Sequence, residues 1–409
     1  MSAPLLLVCE DPAAASFHPL GDTRPVFDLR AGIFSVRERL ARLFPERQVC
    51  ALVRESVAPC FQAATGLPVG WARVPLSSDA LLVNGRLLGG EEWAAGVRAL
   101  RAGQAACSEE QVGAARLDGA LLERCRATGE TWPAGVLAGL PRADVPGDWV
   151  RYPWDLVAQN LGWLARDARS FELGRQLGTV EPGAHLKEAG QVFVGAGARV
   201  EPCCFLDASS GPIVLDRDVL VASHTRVEGP AYVGPGSQLL GGRIGEGTSL
   251  GPQCRVAGEI EATVVQGYSN KRHHGFVGHS YLGEWVNLGA LTTTSDLKNN
   301  YGPVRMWHAG QVRDTGLLKL GSLVGDHSKT AIGTLLGTGT VVGVMTNVFR
   351  RDPPGRVGSF RWLGPEEDTA HRWEKARVLL TTVLARRGVS ATPEYTALLE
   401  RLAAEAGAI

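Results

Sequence analysis

From residue 179 to residue 350 an aliphatic residue returns at almost every sixth position. Val180 and Leu186 lead to Val194, Val200 and Leu206, and then Leu215, Val221, Val227, Val233 and Leu239 follow. After a slip of one residue come Ile244, Leu250 and Val256, and a five-then-six step links Val277, Leu282 and Leu288. Leu320, Val324, Ile332, Leu336 and Val342 continue the pattern until Asp352-Pro-Pro-Gly breaks it. An α-helix repeats near 3.6 and a strand at 2, so neither yields a period of six. Stacked hexads predict a parallel β-helix, with one aliphatic residue of each short strand in the core.

The first 150 residues follow another pattern. Leu5-Leu-Leu-Val-Cys9 is a short unbroken apolar run, the signature of a strand covered on both faces. Ile33 to Phe44 has helical spacing, with Ile33, Val36, Leu40 and Leu43 on one face. Strands are expected at Val49–Val53 and Ala80–Arg86, and a helix over Glu91 to Ala105. This order predicts a doubly wound α/β domain, which takes ligands at the carboxyl ends of its strands. The loop 10–30 and Asn84-Gly85-Arg86 stand there. Residues 151–178 read as a rigid connector, with Asp155 capping a helix to about Arg166 that carries Trp163. Residues 351–409 read as an extended piece at Ser359–Trp362 and two helices, Thr369–Arg387 and Pro393–Ala406, that cap the β-helix end.

Composition narrows the function. Lys plus Arg and Asp plus Glu both number 42, so no net field favours nucleic acid or an anionic membrane. No apolar run reaches membrane-spanning length, and Leu5–Val8 is too short for a signal-peptide core. The eight cysteines contain no C-x-x-C pair, and reduced thiols in a cytoplasmic protein are expected.

The repeat turns polar over 273–302, and chemistry is expected there. His273-His-Gly-Phe276-Val-Gly-His279 precedes Ser-Tyr-Leu-Gly-Glu-Trp, then Val286-Asn287-Leu-Gly-Ala290-Leu, and later Asn300-Tyr301-Gly302. This stretch resembles the acetyltransferase domain of the bifunctional N-acetylglucosamine-1-phosphate uridylyltransferase/glucosamine-1-phosphate acetyltransferase family. That family carries His-x-x-Tyr-Leu-Gly-Asp, Val-Asn-Ile-Gly-Ala-Gly and Asn-Tyr-Asp-Gly. The resemblance implies a left-handed β-helix, homotrimers with sites between subunits, and acetyl-CoA or another acyl-CoA as co-substrate. It assigns His273 as base, Lys271, Phe276, Asn287, Asn300 and Tyr301 to substrate, and Ala290, Lys329 and Arg350 to the acyl-CoA arm. A histidine suits the base because its ordinary pKa lies near neutrality. Phe276 replaces the family's Tyr and His279 its Asp, which points to a different sugar.

The N-terminal domain resembles a reduced sugar-phosphate nucleotidyltransferase. Asp22-Thr23-Arg24-Pro25 echoes the family's Thr-Arg loop, and Val83-Asn84-Gly85 its later strand end. Thr23, Arg24, Asn84 and Arg86 are the phosphate or nucleotide candidates. Yet Arg86 stands where the family holds magnesium with Asp, the Gly-x-Gly element is missing, and no Lys precedes Lys187. Mg2+ is expected only if this domain is active. Three readings follow: a sugar acyltransferase with a degenerate N-terminal domain, a sugar-1-phosphate nucleotidyltransferase, or a non-catalytic sugar-nucleotide binder. A zinc site of His273, His274 and His279 is disfavoured by their spacing, and no metal is expected. His224, His308 and His327 are expected on the coil surface, and Thr292–Thr294 in a ladder along one face.

Overall fold

The computed structural model describes residues 3–409. Leu5–Cys9 is fully buried and runs parallel to Gln48–Leu52 on one side and Ala80–Asn84 on the other. Leu6 and Val8 face one core, Leu5 and Leu7 the other, which is why the run has no polar break. Beyond Ala80–Asn84 the sheet is mixed rather than wholly parallel. Gln111–Leu117 joins antiparallel, Gln104–Ser108 pairs back onto it, and Arg142–Asp144 closes the edge.

Two helices are shorter than their spacing suggests. The later one covers only Glu91–Arg98, and Ala105 belongs to a strand. The helix is capped at Ala99, Gly103, at φ +79°, turns the chain into the strand that follows, and Ala105 and Ala106 are buried in the sheet. The earlier one covers Val36–Leu43, started by a capping box between Ser35 and Glu38. Ile33 lies ahead of it, between the short strands Arg30–Ala31 and Phe34–Ser35.

The connector holds two consecutive helices, Asp155–Ala158 and Asn160–Asp167. Asp155 accepts from the N–H groups of Arg151 and Tyr152, ahead of the helix, and not from the helix's own first turn. Asn160 accepts from Gly32 N–H at 2.7 Å and donates to Gly247 O at 2.7 Å, and so pins the N-terminal domain to the repeat region.

The repeat region is a parallel β-solenoid with three strands per coil. One face stacks nine strands, from Val192–Val194 to Arg356–Val357. The hexad aliphatics from Val194 to Leu288 fill a single core, together with Val324 and Val342. The one-residue slip after Leu239 is a register shift between Leu239 and Gly242. The coils extend beyond 350, and Ser359–Trp362 belongs to the last one, through the strand Arg361–Leu363 paired with Asn347–Val348. Ile332 is not a core position: it sits at a turn with 78% of its surface exposed.

Along one corner Asp218, Gly236, Gln253, Tyr268, Trp285, His327, Met345 and Phe360 all take φ of 52–65°. From Gln253 onward their N–H groups bond the coil before, for example Trp285 to Gly267 O and His327 to Glu284 O. Those bonds offset the roughly 1–2 kcal/mol that a side chain costs in this conformation. Tyr268 stacks on Trp285 at 4.5 Å, and Trp285 on His327 at 6.2 Å. The helices Trp373–Ala385 and Pro393–Glu405 pack on this aromatic corner. They therefore cover a side of the solenoid and not its end, whose edge is paired by the antiparallel strand Asp368–Ala370.

An arm interrupts the coils. Strand partners are about a coil apart up to this point, but Tyr281 pairs with Leu323, Asn287 with Lys329 and Thr293 with Leu335. Residues 297–319 leave the solenoid, form the hairpin Arg305–His308/Gln311–Asp314, and pack on the N-terminal domain through Val304 and Met306. His308 lies buried there against Tyr152 and Trp154. His327 is buried at the aromatic corner, with Nε2 2.7 Å from Tyr395 Oη, and that burial pushes its pKa down to about 3. Of these three histidines only His224 is exposed.

Candidate functional site

Asn270–Lys271 ends one solenoid face, residues 272–275 turn the corner, and Phe276–Gly278 begins the next face. Gly242, Gly258 and Gly275, from successive coils, meet here at φ +102°, +78° and +125°. A Cβ on Gly275 would lie 2.2 Å from Thr292 O, and one on Gly242 2.1 Å from Gly258 O. Side chains are thus excluded. The glycines line an open cleft of about 490 Å³ with Arg243, Glu259, His274 and Phe276.

His273 and His274 are both exposed at this turn, and the carbonyl of His274 accepts from Leu291 N–H of the next coil at 2.8 Å. Among the described residues the His273 imidazole has no hydrogen-bond partner. Asn287 is exposed on the preceding face, its Oδ1 3.4 Å from Asn270 Nδ2, and Ala290 precedes the corner residue Leu291. His273, Phe276, Asn287 and Ala290 thus lie on two neighbouring coils around one corner.

The other candidates stand elsewhere. Lys271 folds inward, its Nζ donating to Ala257 O at 3.0 Å and to His273 O, and burial pulls its pKa down to about 8. It holds the corner's carbonyls instead of facing a ligand. Lys329 pairs across from Asn287, donates to His327 O at 2.8 Å, and is likewise pulled to about 8 by burial. Arg350 donates to Pro365 O near the last coil. Asn300 and Tyr301 are exposed and depart with the arm. Thr292 meets Thr330, Oγ1 to Oγ1 at 2.7 Å, but Thr293 and Thr294 pair with Leu335 and Leu336, so the three threonines do not form one ladder.

The structure also joins a pair that no motif in the sequence singles out. His279 Nδ1 lies 2.7 Å from Asp296 Oδ2. The two are 17 residues apart, one coil, and that spacing was the available signal. His273, His274 and His279 do not gather: among the described residues no group of three His, Cys, Asp or Glu side chains is placed to hold a metal.

The N-terminal candidates are committed to internal partners. Arg86 Nε donates to Asp11 Oδ1 at 2.8 Å and Nη1 to Val150 O at 3.1 Å, while Asn84 Nδ2 donates to Asp11 Oδ2 at 3.0 Å. Glu10, at the same strand end, is paired with Arg54. These residues do not fit Mg2+: a guanidinium stands where a carboxylate ligand is needed, and both nearby carboxylates are neutralised by arginine. Thr23 and Arg24 point into the solenoid. Thr23 Oγ1 donates to Asp326 at 2.6 Å, and Arg24 pairs with Asp326 and with Glu284 at 3.2 Å. Burial alone would lower the Arg24 pKa, but the two carboxylates outweigh it and hold it well above the ordinary value.

Residues 6–176 match the family model described as sugar nucleotidyl transferase. The bifunctional protein GlmU of Xanthomonas campestris pv. campestris (strain B100) is 26% identical over 62% of this chain and 55% of its own length. The GlmU of Xylella fastidiosa (strain 9a5c) is 25% identical over 56% of this chain and 50% of its own, and that of Rippkaea orientalis (strain PCC 8801 / RF-1) is 31% identical over 29% and 25%. The chain thus spans a little over half the length of the first of these relatives. A solved Arabidopsis UDP-N-acetylglucosamine acyltransferase matches 56% of this chain and 89% of its own at 11% identity and a TM-score of 0.17. The chain thus joins a mixed-sheet domain similar to sugar nucleotidyl transferases to a parallel β-solenoid, and over 62% of its length it is similar to the GlmU of Xanthomonas campestris.

Proposed function

We propose that this protein transfers an acyl group from acyl-CoA, acetyl-CoA in the first instance, to an amino-sugar phosphate or nucleotide sugar. The observation that carries this reading is the glycine-lined cleft beside His273 and His274, on the coil that bears the acetyltransferase-like motif. Acyl transfer needs a proton acceptor near neutrality and a hydrogen-bond donor for the carbonyl oxygen. Exposed imidazoles and the Asn287 amide are on hand for these tasks. His273 and Asn287 contact the acceptor, Phe276 floors its ring, and the coil surface around Ala290 takes the acyl-CoA arm. Homotrimers, with the cleft bordered by a second subunit, belong to this reading. The N-terminal domain then supports the solenoid, since Thr23 and Arg24 of its 22–25 loop grip Asp326 and Glu284.

The test is thiol release from acetyl-CoA against a panel of amino-sugar phosphates and nucleotide sugars. Acceptor-dependent release that falls at least tenfold in kcat/KM in His273→Ala supports the reading; no release with any acceptor sinks it. The match of residues 6–176 favours a second reading, sugar-1-phosphate nucleotidyl transfer. It requires pyrophosphate release that depends on Mg2+ and a nucleoside triphosphate, against the Asp11–Arg86 pairing.

No helix among the described residues is long and apolar enough to cross a membrane.

A further inference from the structure

His279 differs from the other histidines of its coil in being oriented. A carboxylate fixes its Nδ1, whereas His273 has no partner for its ring. Its backbone is held as well: φ is +44°, its N–H donates to Glu261 O at 3.0 Å, and its carbonyl accepts from Gly321 N–H at 2.9 Å. The ring is about one-fifth exposed and Asp296 less so. Nε2 makes no hydrogen bond among the described residues and is not sealed from solvent. A base whose far nitrogen is anchored by a carboxylate, with the near nitrogen open, is the arrangement by which imidazoles are held in one tautomer and stabilised when protonated.

The surroundings place this pair beside the cleft. Gly278 separates the two: a Cβ there would meet Phe276 Cζ at 2.4 Å and Asp296 Oδ2 at 2.5 Å. The Phe276 ring, which lines the cleft, therefore reaches to the carboxylate's side of the strand. His279 stands only the three residues Phe276–Gly278 beyond the glycine corner, roughly 10 Å of strand. The charged groups around it are Glu261 of the coil before, Lys319 at the arm's return, 3.9 Å from Glu261, and Arg243, 3.8 Å from Glu261. Burial would raise the Asp296 pKa, but the hydrogen bond and charge of His279, with the charge of Lys319, lower it below the ordinary carboxylate value.

We propose that His279, positioned by Asp296, is a catalytic base of the solenoid, taking its proton from an acceptor amine laid across Phe276. This rests on the acyl-transfer reading. In the step, the uncharged amine attacks the thioester carbonyl carbon. The C–N bond forms and the C–S bond breaks. The proton lost by nitrogen passes to His279 Nε2 and then to the departing thiolate, so an acyl-CoA and an amine give an amide and free CoA thiol. Asp296 acts through the imidazole and touches no substrate. His273, at the other end of the strand, binds the acceptor.

The test compares wild type, His273→Ala, His279→Gln and Asp296→Asn by thiol release across pH 5.5–9, each checked by circular dichroism. The expected result is a loss of about 100-fold or more in kcat for His279→Gln. Asp296→Asn, nearly the same shape, should lower kcat at least tenfold and move the acid limb of the profile, with KM little changed. His273→Ala should act mainly on KM. Should His279→Gln misfold, Asp296→Asn alone decides. Wild-type turnover with an unaltered kcat and pH profile in folded Asp296→Asn or His279→Gln overturns the base and leaves acyl transfer standing; the pair is then a staple at the root of the arm. No turnover by wild type overturns both.

Discussion

Replacing Arg24 tests whether the Thr23-Arg24 loop is a structural clamp between the two domains. Its guanidinium is 11% exposed and the Asp326 carboxylate 1%, so the pair is shielded from salt. Removing one partner of such a pair costs about 3–5 kcal/mol, because the other charge stays buried. Asp326 keeps two donors, Thr23 Oγ1 at 2.6 Å and Glu284 N–H at 2.8 Å. The low end applies, and Arg24→Met is expected to cost about 3 kcal/mol, on the order of a hundredfold in the folding equilibrium. The pair joins two domains, so the mutant should also lose the coupling between them. Urea unfolding followed by tryptophan fluorescence and by circular dichroism checks this, with coincident wild-type transitions that separate in the mutant. A cycle with Asp326→Asn should give a coupling of at least about 2 kcal/mol. A loss under about 0.5 kcal/mol for Arg24→Met, or a cycle that closes additively, would refute the clamp.

Two further perturbations probe the coil. Gly275→Ala places a side chain at φ +125° and drives its Cβ against Thr292 O, so a destabilisation of about 3 kcal/mol is expected in thermal unfolding, and an unchanged Tm would contradict the stacking at this corner. Lys329, held near 8 by burial, is neutral in the folded chain but protonated in the unfolded one between about pH 8 and 10.5. The unfolded state then binds more protons, and stability should rise with pH through that window. Lys329→Met removes this rise: its stability relative to wild type should be better at pH 7.5 than at pH 10, and equal differences at both would refute the assignment.

Much of the solenoid was legible because its core is a one-dimensional stack. Each hexad aliphatic contacts its counterparts one coil away, so periodicity alone specifies Val194 through Leu288 as interior. Ile332 is exposed because it falls two residues past the six-residue register, which runs Val324, Thr330, Leu336, Val342 and puts a buried threonine where an aliphatic residue would be sought. Phe276, Asn287 and Ala290 could be grouped with His273 for the same reason, since neighbouring coils are near in sequence.

Contacts that cross between coils and domains obey no period. The loop at 22–25 and Asp326 lie about 300 residues apart, and nothing local in Thr23-Arg24 says whether it faces a phosphate or a carboxylate. The arm's return onto Tyr152 and Trp154, the aromatic corner that takes the C-terminal helices, and the inward turn of Lys271 are of the same kind. The apolar strand run, the connector and the hexad solenoid with one polar coil could be read from the order of residues, because they follow from which residues must leave water. Which polar groups are spent on one another, and which remain open to a ligand, is set by the folded chain alone. Ion pairs and hydrogen bonds depend on three-dimensional distance and burial, and these appear only once the coils are stacked and the two domains are docked.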